Sequence, residues 1–148
     1  MILALDLGTR TGFAYEGKKH SASGFYDTKL KNPEGAGMRF LRFRRWLDTF
    51  MNIEPVTECY FEEVKRHNGT LAAQVYGGYR AELMSWCEEN DVPYEGVGVG
   101  TIKKFATGKG NASKDAMILE ACLDSGRNIK DDNEADAYWI LQYALSLT

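Results

Sequence analysis

Four carboxylates stand where an acid needs a reason to be. Asp6 ends an apolar run, ILALDL at 2–7, and Gly8 follows it. A carboxylate in such a run is costly unless something pairs with it. Glu62 lies in ECYFEEV (58–64), whose aromatic and β-branched residues predict a strand. On the alternating pleat Glu62 shares a face with Tyr60 and Val64, and Glu63 shares the other with Phe61. Asp132 and Asp136 are four apart in a helical run over 132–147 and stack on one face. Asn133, three before Asp136, falls near that face. Like charges at this spacing repel, and a helix N-terminus offsets only part of the repulsion.

If the two strands are neighbours and the helix crosses their ends, these carboxylates converge. Such a cluster stays ionised only beside a cation, because mutual repulsion raises the pKa values. Hard oxygen donors and only two histidines point to Mg2+, with Mn2+ able to substitute. Two such ions about 4 Å apart clamp an in-line phosphoryl displacement. Singly, each acid has a plainer explanation. DDNE opening a helix is ordinary capping, Glu62-Glu63 is a charge pair on an edge strand, and Asp6 accepts N–H groups of the next turn. The conjunction of all three carries the chemical reading.

The charge is uneven. Residues 101–114 hold Lys103, Lys104, Lys109 and Lys114 with no acid, and Lys65-Arg66-His67 follows the acidic pair. Arg39, Arg42, Arg44 and Arg45 crowd another stretch, which reads as a solvated helix face. The net charge of −3 gives no global attraction to nucleic acid, so any such role rests on local patches. Non-specific duplex affinity is then modest and steeply salt-dependent.

The elements that must position these residues follow from periodicity. ILALDL and TGFAYE predict a hairpin around the turn GTRTG, and HSASGFYD a third, more exposed strand. Phe40, Phe43, Leu47, Phe50 and Met51 recur at helical steps between Glu34 and about Asn52, where Pro55 follows. Then come the strand 58–64, a helix over 70–90 and a strand over 92–99. A short helix runs from Thr101 to about Ala106, another from the Ser113 cap to about Asp124, and the last over 132–147. Leu71, Val75, Tyr79, Leu83 and Trp86 form one stripe on the 70–90 helix, divided between core and a two-fold mate. The Gly77-Gly78 pair there implies a kink or a close packing contact. The order βββαβαβααα predicts an α/β fold, a mixed five-stranded sheet with helices on both faces.

At 148 residues and 44% hydrophobic, the chain reads as one globular domain over 1–148. No run approaches a membrane span, and Asp6 and Arg10 interrupt any leader-like apolar start. Cys59, Cys87 and Cys122 are odd in number and widely spaced, which reads as buried thiols in a reducing, cytoplasmic setting.

In their order, four motifs resemble the RuvC-like Holliday-junction resolvases of the ribonuclease H fold. ALDLGTRTGFA resembles the family's first-strand signature of Asp, Gly, Ser/Thr, Arg and Thr-Gly, one residue short between Arg10 and Thr11. YFEEV resembles its second motif and maps the catalytic Glu to Glu62. VGVGTIKKFATGKGNASKDAM, the most specific stretch, resembles its Lys and Gly-x-Gly-x-Ala-x-Lys run and maps the two family lysines to Lys103 and Lys114. EADAYWI maps the final metal ligand to Asp136.

The resemblance implies a homodimer that nicks two like-polarity strands symmetrically across a four-way DNA junction, with Mg2+. It implies Asp6, Glu62, Asp132 and Asp136 as ligands and Lys114 beside the scissile phosphate. Lys103, Lys104, Lys109, Lys65, Arg66 and Arg10 are the DNA contacts. The host is expected to be a bacterial or phage-infected cell.

Two positions depart from the pattern. Asn133 stands where the family often has an acid, leaving Asp132 or Glu134 to supply the fourth ligand, with Asp132 preferred. Lys65 stands where members carry an aromatic that wedges into the junction, with His67 or Tyr76 as replacements. Looser selectivity, extending to forks, follows. Three rivals are an actin-like kinase fragment, for which the chain is too short, an RNA-processing nuclease of the same fold, and a catalytically dead junction-binding module.

Overall fold

The computed structural model describes residues 1–148. Its elements are β1 (Ile2–Asp6), β2 (Arg10–Glu16), β3 (Ser21–Asp27), α1 (Met38–Met51), β4 (Glu58–Glu63), α2 (Thr70–Glu89), β5 (Tyr94–Gly98), α3 (Val99–Thr107), α4 (Lys114–Ser125) and α5 (Asp132–Ser146). The sheet order is β3-β2-β1-β4-β5. The hairpins β1–β2 and β2–β3 are antiparallel, while β4 lies parallel to both β1 and β5. This is the mixed five-stranded α/β sheet that the element order predicts.

Strand alternation splits the core in two. Leu3, Leu5, Cys59 and Phe61 face α1 and α2, packing with Phe43, Leu47, Phe50, Tyr79, Leu83 and Trp86. Ala4, Ala14, Tyr60 and Val97 face the other way, against Ile102, Met117, Ala121 and the inner side of α5. Small side chains on that second face let α5 lie close: a Cβ on Gly12 would come within 1.9 Å of the Asn133 carbonyl oxygen. No helix is long and apolar enough to cross a membrane.

Local details decide between or correct the sequence expectations, each with a physical cause. The first helix starts at Met38, not Glu34, because Gly35 and Gly37 weaken its first turn, and Glu34 instead accepts from the Lys31 amide at 2.6 Å. Gly78 serves close packing, since a Cβ there would meet the Phe40 ring at 2.4 Å. The stripe on α2 is only partly core. Tyr79, Leu83 and Trp86 are buried, but Leu71 is 73% exposed. Arg42 and Arg44 are not simply solvated but pair with Glu34 and with Glu82 and Glu89.

Candidate active site

Two adjacent parallel strands and one helix start build the site. The β1–β4 register pairs Leu5 with Phe61, so the next step sets Asp6 beside Glu62. Both point to the α5 side, the face of Ala4 and Tyr60. Gly12, opposite Asp6 in β2, is the gap through which α5 brings Asp136 up to them.

One carboxylate oxygen each from Asp6, Glu62 and Asp136 lie within 4.8 Å of one another. Asp132 is outside this triad, and its charge acts on both Asp6 and Asp136. Burial, then the charges of Glu62 and Asp136, hold Asp6 well above the usual carboxylate range. Burial, then Glu62 and Asp132, raise Asp136 to about 7, against the opposing pull of Lys103 and Lys114. Two lysines therefore fall short of neutralising the cluster. A donor set of three converging hard oxygens with unbalanced negative charge fits a divalent cation such as Mg2+ or Mn2+.

The first turn of α5 is held on three sides. Asp131 caps it, accepting from the Glu134 amide at 3.0 Å. Arg10 Nε donates to Asp131 at 2.8 Å while its guanidinium lies 3.5 Å from the Phe25 ring centroid. Ser23 donates to Glu134 at 2.6 Å. Glu134 thus faces β3, away from the triad, and Lys114 Nζ lies 3.4 Å from Asp132.

The other basic residues spread around the site. Lys104 and Lys109 are exposed on α3 and the loop after it, and Lys65 and Arg66 are exposed just beyond β4. Lys114 is 83% exposed along its side chain. Arg10 is tied to the α5 cap through Asp131, with its side chain still 46% exposed. Tyr76 and His67, the two candidates to replace the missing aromatic wedge, lie together: the Tyr76 hydroxyl is turned onto the β4 backbone and its ring rests against His67, 4.8 Å between centroids. Spacing in sequence held no signal for that contact.

No family model matches the chain. The crossover junction endodeoxyribonuclease RuvC of Brachyspira hyodysenteriae (strain ATCC 49526 / WA1) is 28% identical over 91% of this chain and 87% of its own length. Thermus thermophilus RuvC in complex with a Holliday junction substrate superposes with a TM-score of 0.81 at 20% identity, covering 99% of this chain and 96% of that one. A second Thermus thermophilus RuvC structure gives 0.73 at 22% identity, with the same coverage of both chains. The yeast mitochondrial Holliday junction resolvase Ydc2 gives 0.57 at 12% identity, over 95% of this chain and 76% of that one. The fold match and the curated relative bear out the resemblance drawn from the motifs: the chain is similar to RuvC over almost its whole length and has the ribonuclease H-like α/β fold.

Proposed function

We propose that the chain is a divalent-cation-dependent endonuclease that nicks four-way DNA junctions, and other branched DNA, by phosphodiester hydrolysis. The observation that carries this reading is the convergence of Asp6, Glu62 and Asp136 within 4.8 Å, with the Lys103 and Lys114 charges acting on Asp136. The RuvC relatives, one of them solved with a Holliday junction substrate, support the same choice of DNA.

Asp6, Glu62 and Asp136 hold the cations in this reading, with Asp132 completing the set. A divalent cation held there would supply an activated water and charge stabilisation for the leaving 3′-oxygen. Lys114 neutralises charge at Asp132 and sits free enough to meet the scissile phosphate. Lys103, Lys104 and Lys109 hold the backbone next to it, and Lys65 and Arg66 meet an arm on the far side of Glu62. A second copy of the chain docks on the outer face of α2, where Leu71, Ala72, Ala73 and Gln74 are all exposed, and the pair spans the two cuts.

The fourth-ligand assignment separates two variants. Asp132→Asn lowers single-turnover cleavage by about tenfold or more and raises the Mg2+ needed, as loss of a charged ligand does. Glu134→Gln, on the β3 side, stays within about threefold of wild type. Equal losses in both overturn the choice of Asp132.

The function itself is tested with end-labelled four-way junctions, forks, flaps and linear duplex in Mg2+, with Asp6→Asn as the inactive control. Nicks in the four-way junction, with weaker cuts in forks and flaps, are expected. Binding of junctions with no cleavage of any DNA gives the dead-module reading instead, to which Asn133 at a family acid position lends its weight. Cleavage of structured RNA alone gives the RNA-processing reading.

A further inference from the structure

Past the Leu5–Phe61 pair, β4 has left its ladder with β1, yet Glu62 and Val64 lie beyond that point. One side chain takes over there. The Tyr76 hydroxyl, from α2, donates to the Glu62 carbonyl at 2.8 Å and accepts from the Val64 amide at 3.0 Å. It bonds the backbone on both sides of Glu63 in the way a neighbouring strand would. The same ring rests on His67, in the loop that carries Lys65 and Arg66.

We propose that Tyr76 is a positioning residue for Glu62: it fixes the end of β4 so that the Glu62 carboxylate stays on Asp6 and Asp136. The inference rests on reading those three acids as the cation site. A phenol suits the task because it donates and accepts at one atom on a rigid arm. Partners that orient metal ligands change affinity by about 10–100-fold when removed, and a ligand on a strand end has more freedom to lose than one inside a helix. Tyr76 also secures the loop after β4, so the carboxylate and the Lys65-Arg66 pair keep a constant separation.

Tyr76→Phe deletes one oxygen and keeps the ring on His67. The readouts are Mn2+ binding to DNA-free protein by calorimetry, hydrogen exchange at the Val64 amide, and junction affinity. Expected are faster exchange at Val64, Mn2+ bound about tenfold more weakly, and junction affinity lowered by less than that factor. Wild-type Mn2+ affinity together with a deprotected Val64 amide overturns the proposal, leaving Tyr76 a structural tie only. Asp6→Asn keeps the two ideas apart: if wild type binds Mn2+ no better than Asp6→Asn, the cation-site reading itself has failed.

If Tyr76→Phe does not fold, the linkage is read in wild type. Cation binding at Glu62 and the Tyr76 bridge must strengthen each other reciprocally. Saturating Mg2+ then slows exchange at Val64 more than at amides of β2, and no such difference overturns the proposal.

Discussion

Asp6→Asn abolishes cleavage, leaves junction binding intact, and raises the melting temperature of the metal-free protein. The three effects have one cause. Asp6 is buried against Glu62 and Asp136, and burial with their charges pushes its pKa well up. An amide keeps the shape but removes one charge, so the repulsion falls. It also removes a hard anionic ligand, and a cation site lacking one loses most of its affinity. DNA held by lysines on the rim is little affected. Gel cleavage, junction binding in Ca2+ and thermal melts in EDTA check the three effects. Cleavage at the wild-type rate, or a lower melting temperature in EDTA, refutes the argument.

The same electrostatics set a pH dependence. Asp136 is raised from its ordinary 3.8 to about 7 in the fold. Between those values the folded chain holds a proton that the unfolded chain has released, so stability falls as pH rises through that window. The contribution is fully present below about pH 4 and lost above about pH 7, on the order of 2–4 kcal/mol. A bound divalent cation replaces the proton. Mg2+ therefore raises the melting temperature of wild type more at pH 8 than at pH 5, and Asp6→Asn shows little of this difference.

Local signals made the framework legible. Glu62 and Glu63 fall on opposite faces because the pleat alternates whatever the partner strand is, and Glu63 duly pairs with Arg80 of α2 at 3.3 Å. The α5 start was legible from its carboxylates, with Asp131 as cap. What stayed hidden depends on long-range partners. Arg10 looks like a free cation in its turn, but its carboxylate partner comes 121 residues later. Tyr76 lies beside the helical stripe rather than in it, and only the return of α2 against β4 shows that its hydroxyl has a backbone to bridge. Leu71 matches the periodicity of Tyr79 and Leu83, yet the core ends before α2 does. Periodicity tells which way a side chain turns; the extent of the neighbouring layer decides whether anything is there to meet it.

Gly12→Ala is expected to cost at least about 3 kcal/mol and to remove cleavage with it, the upper range for forcing atoms into a packed region. The new Cβ would lie 1.9 Å from the Asn133 oxygen, 2.3 Å from its carbonyl carbon and 3.0 Å from the Glu134 nitrogen. All three are backbone atoms, so no rotamer change relieves the contact. The first turn of α5 has to move away from the sheet, against the Arg10–Asp131 and Ser23–Glu134 bonds that hold it there. Asp136 rides on that turn, and its carboxylate leaves Asp6 and Glu62. Urea unfolding shows this as a lower midpoint at unchanged slope, and Mn2+ titration as lost affinity. Gly37→Ala is the matched control, because a Cβ there meets nothing within 4 Å and the backbone angle is ordinary. If Gly12→Ala unfolds within about 1 kcal/mol of wild type, α5 does not lie this close to β2, and the helix cannot be what brings the third carboxylate to the strand ends.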